Sequence, residues 1–410
     1  MEKPVIIVVG TRPDAIKLIP VYQELLRRRV STLLCATNQH RELLDQVFTL
    51  FKITPDIELN IMKENQHLGY LTATVVQKCF DLFLSAKPQL VIVQGDTTSS
   101  FGAALAAYYL NIPVAHVEAG LRTGNIRSPF PEEMNRIFIT RLSTLHFAPT
   151  PLNVLNLLNE GVPANSVFCV GNTVVDALSS IQQLLKDQQI VVDQGIVTLV
   201  DIAKKSHKKL ILFTTHRRES FETGIAHILN AISECAQRFQ DLFICFPVHP
   251  NPKVQALVAQ SSISTMANVH CCPPLGYGDL IYLLQSCQFV VTDSGGLQEE
   301  ALSLGKKVLV LREHTERVEA LWTGASKLVG TDTNTIIATI QEWLTHPDTT
   351  NQQFIYGDGT AAQRIVQKII DLHQIIATVE QSISASIPLF KNYNDIQPLH
   401  MGDMKEGAGS

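Results

Sequence analysis

Short apolar runs alternate with longer stretches of helical spacing along most of this chain, and most runs end in Gly, Asp, Thr or Ser. Pro4 to Val9 is the first such run; the turn 10–14 follows, and then helical spacing at Ile16, Ile19, Leu25 and Leu26. Ser31 to Ala36, Leu90 to Val93, Pro113 to Val117, His146 to Ala148 and Val167 to Val170 read as further buried strands. Helices are expected over 41–51, 68–86, 97–110 and 174–186, the last capped by Gly171-Asn172-Thr173. Continuous apolar runs alternating with helices imply βαβ units and parallel sheets covered on both faces. The alternation restarts after a mixed stretch at 186–205. Strands then follow at 209–213, 242–246, 289–291 and 307–311. The pattern predicts an α/β protein of two Rossmann-like parallel-sheet domains, 1–171 and 172–359. A helix over 360–380 returns to the first domain, and 381–410 reads as a loosely held tail.

At 410 residues the length accommodates two domains. A hydrophobic content of 45% and a charged content of 17% are those of an ordinary globular protein. A net charge of -5 argues against a nucleic-acid binder, while leaving room for a local basic pocket. No apolar stretch reaches the ~18 residues of a membrane span, and Val5 to Val9 is too short for a signal core. The eight cysteines are scattered without a Cys-x-x-Cys pair, as expected of buried thiols in a reducing compartment. A cytoplasmic protein without membrane or nucleic-acid partners is therefore expected.

Chemistry concentrates between Gln94 and Arg136. Asp96 follows the strand Leu90 to Val93, Glu118 ends the next strand, and Glu132 opens the helix after the intervening loop. Ligands of open parallel sheets bind beyond the carboxyl ends of strands, so the three carboxylates are expected in one crevice. Each also has an ordinary structural reading. Asp96 before Thr-Thr-Ser is a good N-cap, and Glu132 with Glu133 after Pro131 suits a helix dipole. Ser294-Gly295-Gly296 after the strand at 289–291 forms a candidate anion site, with free N–H groups at the positive end of a helix. Arg12 and Lys17 lie where a phosphate could be met, and His216 stands at a strand end beside Arg217 and Arg218. His249, among prolines, reads as structural. Neither a Gly-x-Gly-x-x-Gly fingerprint nor a Walker lysine loop is present, so neither NAD nor ATP is expected as a cofactor. No residue spacing suggests a zinc or calcium site.

These segments together resemble the non-hydrolysing UDP-N-acetylglucosamine 2-epimerase family. The matching pieces are Gly-Thr-Arg-Pro-Asp-Ala-Ile-Lys at 10–17, Gln-Gly-Asp-Thr-Thr at 94–98 and His-Val-Glu-Ala-Gly-Leu-Arg-Thr-Gly at 116–124. Further along stand Pro-Phe-Pro-Glu-Glu-Met-Asn-Arg at 129–136, Gly-Asn-Thr-Val-Val-Asp at 171–176 and Thr-His-Arg-Arg-Glu-Ser at 215–220. Asp-Ser-Gly-Gly-Leu-Gln-Glu-Glu at 293–300 and Thr-Glu-Arg at 315–317 complete the set. The resemblance implies the GT-B fold with an interdomain cleft, a homodimer, and interconversion of UDP-GlcNAc and UDP-ManNAc without metal or cofactor. It assigns proton handling and oxocarbenium stabilisation to Asp96, Glu118 and Glu132, and contact with the diphosphate to His216. UDP would be held by Arg12, Lys17, Leu275, Leu280, Ser294, Gly295 and Gly296, with Glu300 on the ribose hydroxyls and Arg317 in the cleft wall. Gln39 and His249 match a second, allosteric substrate site of many bacterial members, while Glu42 and Asn65 depart from that pattern. Asp14 stands where the family commonly has Glu.

The C2 hydrogen of such a sugar is not acidic, so the workable route eliminates UDP to 2-acetamidoglucal and then adds it back. That route needs proton donors and acceptors on both faces of the ring, and stabilisation of the departing diphosphate. Epimerisation of a diacetamido-uronate nucleotide, a hydrolysing epimerase, a GT-B glycosyltransferase and a binding-only sensor are the alternatives.

Overall fold

The computed structural model of the chain describes residues 3–63, 66–215, 224–346 and 355–372. Two compact units divide it, Met1–Gln363 and Arg364–Ser410, and the first contains both sheets. The first sheet comprises β1 (Val5–Val9), β2 (Thr32–Ala36), β3 (Ile57–Glu58), β4 (Leu90–Gln94), β5 (Val114–Val117), β6 (Leu145–Ala148) and β7 (Val167–Cys169). The second comprises β8 (Lys209–Thr214), β9 (Leu242–Pro247), β10 (Val269–Cys272), β11 (Phe289–Thr292), β12 (Lys307–Val310) and β13 (Ser326–Leu328). Their orders are β3-β2-β1-β4-β5-β6-β7 and β10-β9-β8-β11-β12-β13. All neighbouring strands are parallel. The expected fold class, two Rossmann-like parallel sheets in the GT-B manner, is the one observed.

The strand order explains why chemistry gathers where it does. Strand order reverses between β1 and β4 in one sheet and between β8 and β11 in the other. At such a switch point the flanking connections leave on opposite faces, opening a crevice beyond the carboxyl ends. Val5 pairs with both Thr32 and Leu90, so β1 is central and all five of its residues are buried. That is why it reads as an uninterrupted apolar run. The first core packs Ile6, Val8, Val91 and Val93 against helices through Val75, Phe83 and Ala103. The second is built around Ile211, Phe213, Ile244 and Val291, and Phe289 meets Trp343 edge-on at 5.5 Å.

Some local expectations shift. Arg12 to Asp14, read as a turn, form the first turn of the helix Arg12–Arg27. Proline is tolerated there because its missing N–H has no intrahelical partner, and the Asp14 carboxylate accepts the Gly10 and Thr11 N–H groups. Asp96 does not cap the helix after it. That helix is Thr98–Tyr109 and its cap is Thr97, whose hydroxyl accepts the Ser100 N–H. The mixed stretch at 186–205 contains the helix Gln194–Lys205, capped by Asp193. Strands β3, β10 and β13 were not anticipated; they are short and, except for single residues, incompletely buried. Of the helix expected over 360–380, residues 361–372 are helical; the remainder and the tail 381–410 lie outside the described residues. Among the described residues no helix is long and apolar enough to cross a membrane.

Candidate active site

The strands deliver the acids. Gln94 is in register with Val117 at the ends of β4 and β5, and the Gly95 N–H donates to Val117 O at 3.0 Å. Glu118 follows immediately and adopts φ 63°, a left-handed conformation rare for a residue with a side chain. Its carboxylate passes over Gly95: a Cβ on that glycine would lie 3.7 Å from Glu118 Oε1. Asp96 is therefore one residue from the point where Glu118 crosses the loop. On Asp96 converges the helix Glu132–Leu142: Asn135 Nδ2 donates to its backbone oxygen at 2.9 Å, and Arg136 Nε to its carboxylate at 3.0 Å. Glu132 is three and four residues before these two, on the same helical face.

Glu118 is buried and ion-paired with Lys17, and Asn172 Nδ2 lies 3.4 Å from the same carboxylate. Lys17 also meets Glu299 at 2.8 Å. Glu118 comes from the first sheet and Glu299 from the helix Gly295–Ser303 of the second. One ammonium therefore bridges carboxylates from both halves. Arg317 donates to Glu299 at 2.9 Å and 2.7 Å and pairs with Glu316, which Arg312 contacts at 2.9 Å. The Arg317 guanidinium rests directly on Gly295, where a Cβ would come within 2.8 Å of Nη1. Any side chain at 295 would have to push the guanidinium aside.

Electrostatics differentiate these groups. Burial raises the pKa of Glu118 against the pull of Lys17, with Glu299 adding to the rise. For Glu299 burial acts the same way, but the Arg317 and Lys17 charges overcome it and the pKa falls. Burial disfavours the Lys17 ammonium, yet Glu118 and Glu299 more than offset this and raise its pKa. Two neighbouring carboxylates thus part company, one with raised and one with lowered proton affinity. His116, whose Nε2 donates to Gly95 O at 2.7 Å, is pushed down to about 3 by burial and stays neutral.

The anion site has the expected cap. Ser294 caps the helix Gly295–Ser303, its hydroxyl facing the Leu297 N–H at 3.4 Å, and Gly296 has open space on its Cβ side. Thr215 donates to Asp293 at 3.0 Å, and Thr214 meets Thr292 at 2.6 Å, tying the end of β8 to the residues just before this cap. His216 itself lies outside the described residues. The Arg12 guanidinium stacks on the Tyr277 ring at 5.5 Å. Glu300 is buried beside them, raised to about 7 by burial against the Arg12 charge. Leu275 and Leu280 flank Tyr277 and are half-buried. Gln39 accepts from the Ser99 hydroxyl at 2.8 Å, and His249 Nδ1 from the Asn251 N–H at 3.1 Å. Among the described residues no group of His, Cys, Asp and Glu is arranged to hold a metal ion.

Sequence reasoning assigned no role to Glu299, Glu316, Glu133 or Arg136, although all four sit in the quoted motifs. The available signal was adjacency. Glu132-Glu133 and Glu299-Glu300 are pairs on helix first turns or near them, and Glu133, Glu299 and Glu300 are all buried. Buried acids need partners.

A sequence profile of UDP-N-acetylglucosamine 2-epimerases matches residues 23–370. The chain is 43% identical over 373 residues to the UDP-N-acetylglucosamine 2-epimerase of Neisseria meningitidis serogroup A, covering 89% of this chain and 99% of that one. It is 42% identical over 373 residues to the Bacillus subtilis enzyme of the same name, covering 89% and 94%. Among solved structures, UDP-GlcNAc 2-epimerase from N. meningitidis bound to UDP-GlcNAc superposes with a TM-score of 0.83 at 42% identity, covering 90% of this chain and 100% of that one.

Proposed function

The chain belongs to the UDP-N-acetylglucosamine 2-epimerase family, and from that membership we propose that it interconverts UDP-GlcNAc and UDP-ManNAc by inverting C2. The reaction would run through loss of UDP to 2-acetamidoglucal and its return. The observation that carries this reading is the Lys17 bridge between Glu118 and Glu299, which sets the acid cluster beside the helix start at Gly295. Elimination needs a proton acceptor and a diphosphate site held together in one protein frame.

In this reading Glu118, with its raised proton affinity, carries a proton between C2 and the protein. Glu132 serves the opposite face, and Asp96 stabilises positive charge developing on the ring. The N–H groups of Gly295 and Gly296, with Arg12, Lys17 and His216, hold the diphosphate as it leaves. Arg317 supports that site from beneath Gly295, Leu275 and Leu280 line the nucleoside, and Glu300 receives the ribose. Gln39 and His249 belong to a second substrate site. The domains are taken as 1–171 and 172–359, and the enzyme acts in the cytoplasm as a homodimer, which light scattering at twice 45.4 kDa would test.

Purified protein with UDP-GlcNAc in D2O should yield UDP-ManNAc and deuterium at C2 by NMR. Free ManNAc in its place would mark a hydrolysing enzyme. Asp96→Asn, Glu118→Gln and Glu132→Gln should each lose turnover by about 10²-fold or more while still binding UDP. Full turnover in all three would sink the assignment.

A further inference from the structure

Glu133 follows a proposed catalytic acid and is bound into the protein frame through both of its carboxylate oxygens. It is buried to 1% exposure. Its Oε1 accepts the Thr123 N–H at 3.0 Å and the Gly124 N–H at 3.1 Å, both in the loop that continues from Glu118. Its Oε2 accepts Arg136 Nη1 at 3.0 Å. Arg136 is itself buried and turns its other two nitrogens, Nε at 3.0 Å and Nη2, onto a single oxygen of Asp96, Oδ2. Among the described residues Asp96 Oδ1 takes no hydrogen bond, so that oxygen stays available to a ligand. Asn135, between them in sequence, fixes the Asp96 backbone oxygen.

Three segments meet at this ion pair: the loop after β4 with Asp96, the loop after β5 that begins at Glu118, and the first turn of the helix that begins at Glu132. We infer that Glu133 and Arg136 are positioning residues, a buried clamp that keeps the segments bearing Asp96, Glu118 and Glu132 in one register. The planar guanidinium is needed because it makes three directed bonds at fixed angles to two carboxylates, which an ammonium cannot. The charges of Asp96, Glu316 and Glu133 hold Arg136 protonated against its burial, and Glu316 comes from the second half of the molecule. Neither clamp residue touches the sugar nucleotide in the proposed reaction.

The inference rests on the proposed epimerase reading, and the test separates the two. Arg136→Lys keeps the charge and loses the fork; Glu133→Gln loses the ion pair and leaves the two N–H groups only a weaker, neutral acceptor. Turnover per UDP-binding site, with sites counted by calorimetric titration of UDP, should fall about 100-fold in Arg136→Lys, the scale expected for ~1 Å misplacement of reacting groups. The Kd for UDP should stay within about threefold, and Glu133→Gln should show the same split, with kcat falling and UDP binding retained. Loss of fold alone would reduce the number of sites and leave turnover per site unchanged. Hydrogen exchange at the Thr123 and Gly124 amides reads the clamp without turnover and should be at least tenfold faster in both variants. Wild-type turnover per site in Arg136→Lys, or unchanged exchange in both variants, overturns the clamp. If wild-type protein does not epimerise UDP-GlcNAc but exchange accelerates as expected, the clamp stands and the epimerase reading falls.

Discussion

Asp14 shows how much a single buried carboxylate can be asked to do. Its Oδ2 accepts the Gly10 and Thr11 N–H groups and the Thr97 hydroxyl at 3.2 Å, so it joins the loop after β1 to the loop after β4. Burial pushes it up to about 7 from an ordinary 3.8, although those donors pull the other way. The sign follows from linkage. Between the unfolded and folded values the native state binds the extra proton, so this contribution is present below about pH 4 and is lost as pH rises through 7. Asp14→Asn cannot titrate. Its stability relative to wild type should therefore increase between pH 5 and pH 8, measured by urea unfolding at each pH. A difference that stays flat or declines would exclude Asp14 as the titrating group. The motif containing Asp14 was legible from the sequence. Its burial, the origin of the shift, was not.

At the scale of elements, the caps at Ser294 and Asn172 were legible because each bonds an N–H group two or three residues ahead. The equally local caps Thr97 and Asp193 were not read. Caps supplied from afar are invisible to such reading. Asp176 accepts the N–H groups of Ala361 at 3.2 Å and Ala362 at 2.9 Å, capping a helix start 185 residues away. Asp176→Ala should cost about 1–2 kcal/mol, as local cap removals do, in denaturant unfolding; a loss under about 0.3 kcal/mol would mean the cap is replaced by water. The helix Gly295–Ser303 escapes periodicity for another reason. Leu297 to Leu302 are six consecutive buried residues, so the helix is enclosed on every side and presents no polar stripe. Short β3, β10 and β13 were missed because two to four residues are too few to establish alternation.

Across the whole molecule, Lys17 is the fastening between halves. It is 4% exposed and shared between Glu118 and Glu299, and Thr150 of the first half contacts Glu319 of the second. Removing the ammonium leaves buried Glu118 without its ion-pair partner, facing a Glu299 that keeps only Arg317. Breaking a buried pair from one side costs about 3–5 kcal/mol, so Lys17→Met should lose that much in denaturant unfolding. Calorimetry should also show one transition in the wild type and a broadened or divided one in the variant, as the halves uncouple. A variant that melts as one sharp transition with less than about 1 kcal/mol lost would show that the bridge contributes little.

The sequence alone determined much of the local order of this protein: where apolar runs make central strands, where Asn172 and Ser294 start helices, and which acids end strands. Those features depend on neighbours a few residues away, so they are written in the chain itself. Tertiary structure alone decided which acids share a cation, that Arg136 holds Asp96, and that Arg317 lies against Gly295. These depend on burial and on partners tens to hundreds of positions apart, for which a one-dimensional pattern carries no signal. Charge pairing is sharpest where water is excluded, and only the assembled fold determines where that is.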